Sequence, residues 1–151
     1  MYRFVGVLLE FDTAANPEPG VARAPTTAEQ TTALARLAER LGGALEPELL
    51  IARRGYGLDS AVLDRLGEKR SVDGVLLFSL DTVRNGRRID LEGLHRCWQL
   101  GGRLALLVED LQLLDAAGFA SFVEFVVAMN LVRRRDASAA WFELVNEVGA
   151  A

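Results

Sequence analysis

The sequence predicts one α/β domain of three layers, in which a four-stranded, mainly parallel sheet lies between helices. Short apolar segments alternate with amphipathic segments of helical period along most of the chain, as in a parallel sheet with helices on both faces. Residues 75 to 78, Val-Leu-Leu-Phe, form an apolar run without a polar break, which indicates a strand covered on both sides. The chain has 151 residues, 50% of them hydrophobic, and this fits a single domain, 1–151, with one core.

The first half of the chain reads as two strands and two helices. Residues 2–9 are rich in aromatic and branched side chains and predict the first strand. Residues 12–25 contain three prolines and predict a loop, long enough to act as a flap. A capping box at 27–30 opens a helix that runs to Leu41. Residues 48–53 predict the second strand, and residues 59–69 the second helix, with Asp59 as its cap.

The second half continues the alternation and then becomes helical. The run from Asp73 to Phe78 is the third strand, residues 90–100 are the third helix, and residues 103–109 are the fourth strand. No strand signal follows. Residues 115–149 lack proline and predict either one long helix or two, because Asp136 or Ser138 would cap a second one.

Composition limits the function classes. The formal net charge of −4 argues against a chain that binds nucleic acid by bulk charge. The single cysteine, Cys97, excludes an internal disulfide and fits a reducing cytoplasm. Glu10 and Asp12 interrupt the N-terminal apolar stretch too early for a signal peptide, and no apolar run approaches a membrane span. We therefore expect a cytoplasmic protein that does not bind membranes.

Acidic residues gather at the predicted carboxyl ends of the strands, where α/β proteins place their sites. Convergence of these oxygen ligands on one edge would form a Mg²⁺ site, and this is the metal-dependent alternative. The structural alternative is that they cap helix N-termini, and we expect no resident cofactor. The residues concerned are Glu10, Asp12, Asp81, Glu109 and Asp110.

Two basic segments are candidate contacts for phosphate or nucleic acid. Arg84, Arg87 and Arg88 form a basic loop after the third strand, and Arg133 begins a run of three arginines near the end of the chain. The competing interpretation is a solvated turn and an exposed helix face, and we favour it over nucleic-acid binding.

The C-terminal segment is apolar over more than one face of a helix, so it must be covered on more than one side. We expect a homodimer interface there. The alternative is that the segment packs wholly on its own sheet. The candidate interface residues are Phe119, Phe122, Val126, Met129, Trp141 and Leu144.

The order of elements and several motifs resemble the catalytic domain of serine recombinases, the resolvase and invertase group. In that family a strand of the form D-V-L-V-V leads into L-D-R-L-G-R, and this chain has DGVLL at 73–77 followed by LDTVRN at 80–85. Looser matches cover most of the chain. They are Gly102–Leu106 with Glu109-Asp110, Ala116–Phe119, and Arg54 with Gly57-Leu58. The resemblance implies a resolvase-like fold and a long helix at which subunits meet.

The residues that carry out the family's chemistry are largely replaced. The position of the nucleophilic serine falls at Glu10, or at Phe11 if the register shifts by one, and the nearby arginine position falls at Leu8 or Leu9. Thr82 and Asn85 occupy the two arginine positions after the third strand. Candidates for the remaining arginines are Arg54, displaced by one residue, and Arg133. A carboxylate at the nucleophile position would repel a phosphate, so the resemblance implies a non-catalytic relative.

The leading hypothesis is therefore a non-enzymatic interaction or regulatory module, homodimeric and with a protein partner. The first alternative is a recombinase-like or Mg²⁺-dependent DNA-processing enzyme that uses the Asp81 loop. The second is a small-ligand or signalling domain.

Overall fold

The computed structural model describes residues 1–11 and 23–134, although the side chains of 133 and 134 are outside the description. The predicted strands and helices of this part are present, and short elements that the sequence did not predict lie between them. In chain order the elements are β1 (Tyr2–Glu10), α1 (Thr27–Arg40), β2 (Gly43–Leu45), β3 (Leu50–Arg53), α2 (Ser60–Glu68), β4 (Gly74–Leu77), a 3-10 helix (Leu80–Val83), β5 (Arg84–Asn85), β6 (Arg88–Ile89), α3 (Leu91–Gln99), β7 (Leu104–Leu106), β8 (Leu111–Leu113) and α4 (Ala116–Arg134).

β1 is the central strand of a mixed sheet. On one side it pairs with β4, which pairs with β7, and all three run parallel. On the other side β2 pairs with the first half of β1 and β3 with the second half, also in parallel. β8 is antiparallel to β7 and completes the path at that edge.

The predicted count of four strands is wrong, because the sheet has six in the described part of the chain. β2 was missed since its three residues, Gly-Ala-Leu, directly follow the glycine that ends the first helix. The Cβ of any other residue at Gly43 would collide with the backbone oxygen of Tyr2, so the close strand contact requires glycine there. β8 was missed because Leu-Gln-Leu is too short to show a period.

Side chains alternate along β1 and divide the core into two clusters. Phe4 and Leu8 point to the face covered by α1, where they pack with Leu34. Val5 and Val7 point to the other face, which α2, α3 and α4 cover. The layers are therefore helix, sheet and helix, as the sequence predicted.

The cap of α1 lies one residue earlier than the sequence predicted. Thr26 Oγ1 accepts a hydrogen bond from Glu29 N, and Glu29 Oε1 accepts one from Thr26 N, each at 3.1 Å. Gln30 is therefore not a capping residue. It is buried, and its amide exchanges two hydrogen bonds of 2.8 Å with the backbone of Leu9. These bonds satisfy the N–H and C=O groups of Leu9 on the side of β1 where β4 has already ended.

The other helices begin as predicted, with Asp59 and Asp90 as N-caps of α2 and α3. α4 runs to Arg134, and residues 135–151 lie outside the described chain, so the choice between one helix and two stays a prediction. The predicted flap at 12–25 also lies mostly outside the described residues. None of the described helices has both the length and the apolar character that a membrane crossing requires.

Candidate functional site

The loop after β4 lies at the carboxyl edge of the sheet and forms several polar contacts there. Ser79 caps the 3-10 helix, since its Oγ accepts a hydrogen bond of 3.0 Å from Asp81 N. Both carboxylate oxygens of Glu109 accept from Leu80 N at 3.1 Å, and Glu109 also accepts from Ser79 Oγ at 3.2 Å. A carboxylate at this position compensates the unpaired N–H groups and the positive end of the helix. Glu109 is therefore a structural cap.

Asp81 is also engaged by the chain itself. Arg84 Nε donates to Asp81 Oδ1 at 2.7 Å, and the Arg84 side chain is only 20% exposed. Arg84 Nη1 is buried and has no acceptor among the residues that the structure describes. The Asp81 charge is thus compensated, while one guanidinium nitrogen of Arg84 is left without a bond.

The predicted acidic cluster does not assemble within residues 1–11 and 23–134. Glu10 is exposed at the end of β1. Asp110 lies in the tight turn between β7 and β8, with φ 51° and its N–H bonded to Leu107 O at 3.1 Å. Asp12 lies outside the described residues. In the part of the chain that is described, no three His, Cys, Asp or Glu side chains are grouped closely enough to hold a metal ion.

Two loops that are far apart in sequence meet beside this edge. Gly86 N donates to Gly55 O at 2.8 Å, and Tyr56 forms an antiparallel bridge with Asn85. Gly55 and Gly86 have φ of 86° and 62°, a region that favours glycine, so both tight turns depend on it. The contact places the loop after β3 against the β5–β6 hairpin. We call the joint surface the arginine strip; its residues are Arg53, Arg54, Tyr56, Arg84, Arg87 and Arg88.

Most side chains of the arginine strip face solvent. Tyr56 is 59% exposed, and the guanidinium carbon of Arg53 lies 4.7 Å from its ring centroid. Arg54 lies over the ring of Phe11 at 5.8 Å. Arg53, Arg54 and Arg88 form no ion pair with any residue that the structure describes. The basic loop predicted at 84–88 is therefore a short hairpin, and Arg54 extends its surface.

A pocket of about 360 Å³ lies between the hairpin and the start of α3. Asn130 of α4 forms its floor: Asn130 Oδ1 accepts from Ile89 N at 2.8 Å, and Nδ2 donates to Ile89 O at 2.9 Å. Sequence reasoning missed Asn130, although one amide within the apolar run of α4 was a signal that could have found it. The residues that line the pocket are Asn85, Arg88, Ile89, Asp90, Leu91, Glu92 and Asn130.

The predicted interface residues on α4 lie mainly in the core of the chain itself. Phe119, Phe122 and Val126 are 5%, 9% and 0% exposed, and Trp98 stacks on Phe119 at 4.5 Å. Met129 is partly buried against the same core. The structure therefore assigns these residues to packing on the sheet. Trp141 and Leu144 lie outside the described residues.

The exposed apolar side chains of α4 are different ones. Phe125 is 58% exposed and Val127 is 48% exposed. Between residues 116 and 132, Glu124 is the only charged residue. α4 thus exposes apolar side chains, as the sequence predicted for this segment. Phe125 and Val127 are two positions apart and lie on the two flanks of the buried stripe that Phe122 and Val126 form.

The positions that the recombinase resemblance singles out have structural roles in this chain. Leu8 and Leu9 are buried in the core. Thr82 is fully buried, and its Oγ1 donates to Ser79 O at 2.8 Å inside the 3-10 helix. Asn85 is exposed at the hairpin turn. Arg133 lies in the last turn of α4, and its side chain is outside the description. Comparisons with protein-family models, with curated proteins and with solved structures gave no significant match to the chain.

Proposed function

We propose that this chain is a non-catalytic protein-interaction module that forms a homodimer through the exposed flanks of α4. The single observation that carries the proposal is the exposure of Phe125 and Val127 on a helix with one charged residue in its first seventeen positions. We further propose descent from the serine recombinase catalytic domain, supported by the DGVLL strand and the LDTVRN turn in the order of the family motif. A cytoplasmic location is part of the proposal, since Cys97 is a buried free thiol.

The polar groups at the carboxyl edge support a non-catalytic role. A nucleophile must be accessible to its substrate, whereas Ser79 is buried in this chain. Ser79 Oγ instead donates to Glu109 and accepts from Asp81 N, and the Asp81 carboxylate binds Arg84. These polar groups therefore bond to one another, and their contacts stabilise the loop at this edge of the sheet.

Self-association is supported by the exposed apolar side chains on the two flanks of α4. Exposed large apolar side chains are unfavourable in water and are typical of association sites. Phe122 and Phe125 have ring centroids 6.5 Å apart, so the exposed ring continues directly into the core. A partner copy that covers both flanks of the buried stripe of α4 would bury Phe125 and Val127 in a symmetric contact.

The test is the oligomeric state of a variant in which both side chains are polar. Phe125→Ser/Val127→Ser should be monomeric by light scattering at concentrations where the wild type is dimeric. The matched control is Ile51→Ser/Val108→Ser, which also replaces two exposed apolar side chains, 46% and 60% exposed, away from α4. The control should stay dimeric. A wild type that is monomeric throughout the micromolar range would rule out the homodimer.

A second candidate function is the binding of a small polar ligand, and the pocket beside the hairpin favours it. Its volume of about 360 Å³ lies within the range of small-molecule sites. Arg88, Asp90 and Glu92 all line it, so the pocket offers charges of both signs to a ligand. A thermal-shift screen of amino acids would show a stabilisation that is lost in Arg88→Ala.

A further inference from the structure

We infer that the arginine strip binds an extended, carboxylate-rich segment of a partner protein. The inference rests on the proposed interaction function and names the chemistry of the partner. It concerns a surface separate from α4, so it does not depend on the homodimer.

The strip exists only in the folded chain. About thirty residues separate Arg54 from Arg84, and the bond between Gly86 N and Gly55 O joins their loops. Each loop is short and fixed at both ends: Tyr56 N donates to Arg53 O at 3.0 Å, and Asn130 holds Ile89 at the base of the hairpin. The guanidinium groups are therefore carried on a rigid base, which lowers the entropy lost on binding.

The charge of the strip is opposite to that of the chain as a whole. Five of its six residues are arginines, in a chain whose formal net charge is −4. The Asp81 carboxylate compensates Arg84. Arg53, Arg54 and Arg88 form no ion pair with a described residue, although Glu10 lies opposite Arg53 in the register of β1 and β3. An excess of positive charge thus remains on one exposed surface, and an acidic ligand would neutralise it.

The side chains suit carboxylates in particular. Guanidinium groups bind carboxylates with two parallel hydrogen bonds, and these charge-assisted bonds are stronger than neutral ones. The Tyr56 ring centroid lies 4.7 Å from the guanidinium carbon of Arg53. Tyr56 thus adds an exposed ring and a hydroxyl group to the arginines of the two loops. An extended peptide with several Asp or Glu side chains would meet both kinds of contact.

The net charge favours a protein segment over a nucleic acid. A nucleic acid carries its charge along a whole polymer, and a chain of net charge −4 repels it at long range. A short acidic peptide interacts only with the local strip. Asp90 and Glu92 lie beside Arg88 at one end, so an acidic segment would be repelled there and would lie towards Arg54.

The experiment uses a fluorescein-labelled oligoglutamate peptide and the full-length protein, with fluorescence anisotropy as the readout. We expect saturable binding at low ionic strength, weakened at about 0.3 M salt because exposed charges are then screened. Arg53→Glu/Arg54→Glu should bind at least about tenfold more weakly. The matched control, Arg36→Glu/Arg40→Glu, changes the net charge equally on exposed positions of α1 and should bind as the wild type does.

Two outcomes would overturn the inference. One is equal loss of peptide binding in the strip and control variants, because the interaction would then depend on net charge alone. The other is a labelled single-stranded oligonucleotide that binds the strip while the peptide does not. Light scattering of the same samples reports the homodimer separately, so a failure of the peptide assay is distinguishable from a failure of the proposed dimer.

Discussion

Asn130 and Ile89 exchange two hydrogen bonds: Asn130 Oδ1 accepts from Ile89 N at 2.8 Å, and Asn130 Nδ2 donates to Ile89 O at 2.9 Å. Asn130 is 5% exposed and Ile89 is 3% exposed. The N–H and C=O of Ile89 therefore depend on the Asn130 amide for their hydrogen bonds. The amide thereby fixes the β5–β6 hairpin, and with it half of the arginine strip, to α4. The proposed dimer helix and the proposed peptide surface share this connection.

Replacing Asn130 by leucine should destabilise the fold by about 2–4 kcal/mol, because the buried N–H and C=O of Ile89 would both lose their partners. Leucine is similar in size, so the loss reflects hydrogen bonding more than packing. Urea denaturation measures the change. The exposed amide Gln99 provides the control, and Gln99→Leu should stay within about 0.5 kcal/mol of the wild type. An unchanged midpoint for Asn130→Leu would contradict the role given to this amide.

Cys97 predicts a dependence of stability on alkaline pH. Complete burial, with a smaller contribution from the charge of Asp90, raises the pKa of the Cys97 thiol to about 12. The unfolded thiol has a pKa of about 8.5, so its contribution to stability is fully present below that value and is lost as the pH rises from there towards 12. Between about pH 8 and pH 10 the wild type should lose about 2 kcal/mol more than Cys97→Ala does.

The measurement is the free energy of unfolding of both proteins at the two pH values. Other titrating groups are common to both, so the difference isolates the thiol. Cys97→Ala should be less stable than the wild type at the lower pH, because it leaves a cavity. Equal losses in the two proteins would show that the thiol titrates normally in the folded chain.

Two glycines should respond to alanine in opposite directions. Gly67 lies in α2 with open space around its missing side chain, so Gly67→Ala should stabilise the fold by about 0.5–1 kcal/mol. An added methyl group at Gly6 in β1 would lie 2.8 Å from Leu49 Cδ2 and 2.9 Å from Leu45 Cδ1. Gly6→Ala should therefore cost about 1–3 kcal/mol. Thermal denaturation of both variants tests the open position on α2 and the close packing around Gly6 in β1.

Glu109 distinguishes the structural role of the carboxyl edge from the metal-dependent alternative. Glu109→Ala removes the acceptor for Leu80 N and should lower stability by about 1 kcal/mol, as the loss of a helix cap does. Glu124→Ala, at an exposed position of α4, is the control and should have little effect. Neither Mg²⁺ nor Mn²⁺ should change the Tm of the wild type. A rise in Tm that disappears in Asp81→Asn would support the DNA-processing enzyme instead.

Local patterns in the sequence predicted the elements that local physics determines. The apolar run at 75–78 predicted β4, and Asp59 and Asp90 marked where α2 and α3 begin. Such signals are reliable because caps and periodicity act over a few neighbouring residues. The same reasoning placed the cap of α1 one residue late. Both Thr26 and Thr27 can open a capping box, and only the contact of Gln30 with β1 selects between them.

The sequence by itself determined the α/β class, the central strands and the apolar character of α4. The tertiary structure decided which side of α4 is exposed, because Phe122 and Phe125 are equally apolar and only packing on the sheet buries the first and not the second. It also decided the use of the polar residues. Glu109, Asn130 and the two arginine loops find partners about thirty to forty residues away, and such contacts depend on strand order and turn geometry, which no local pattern encodes.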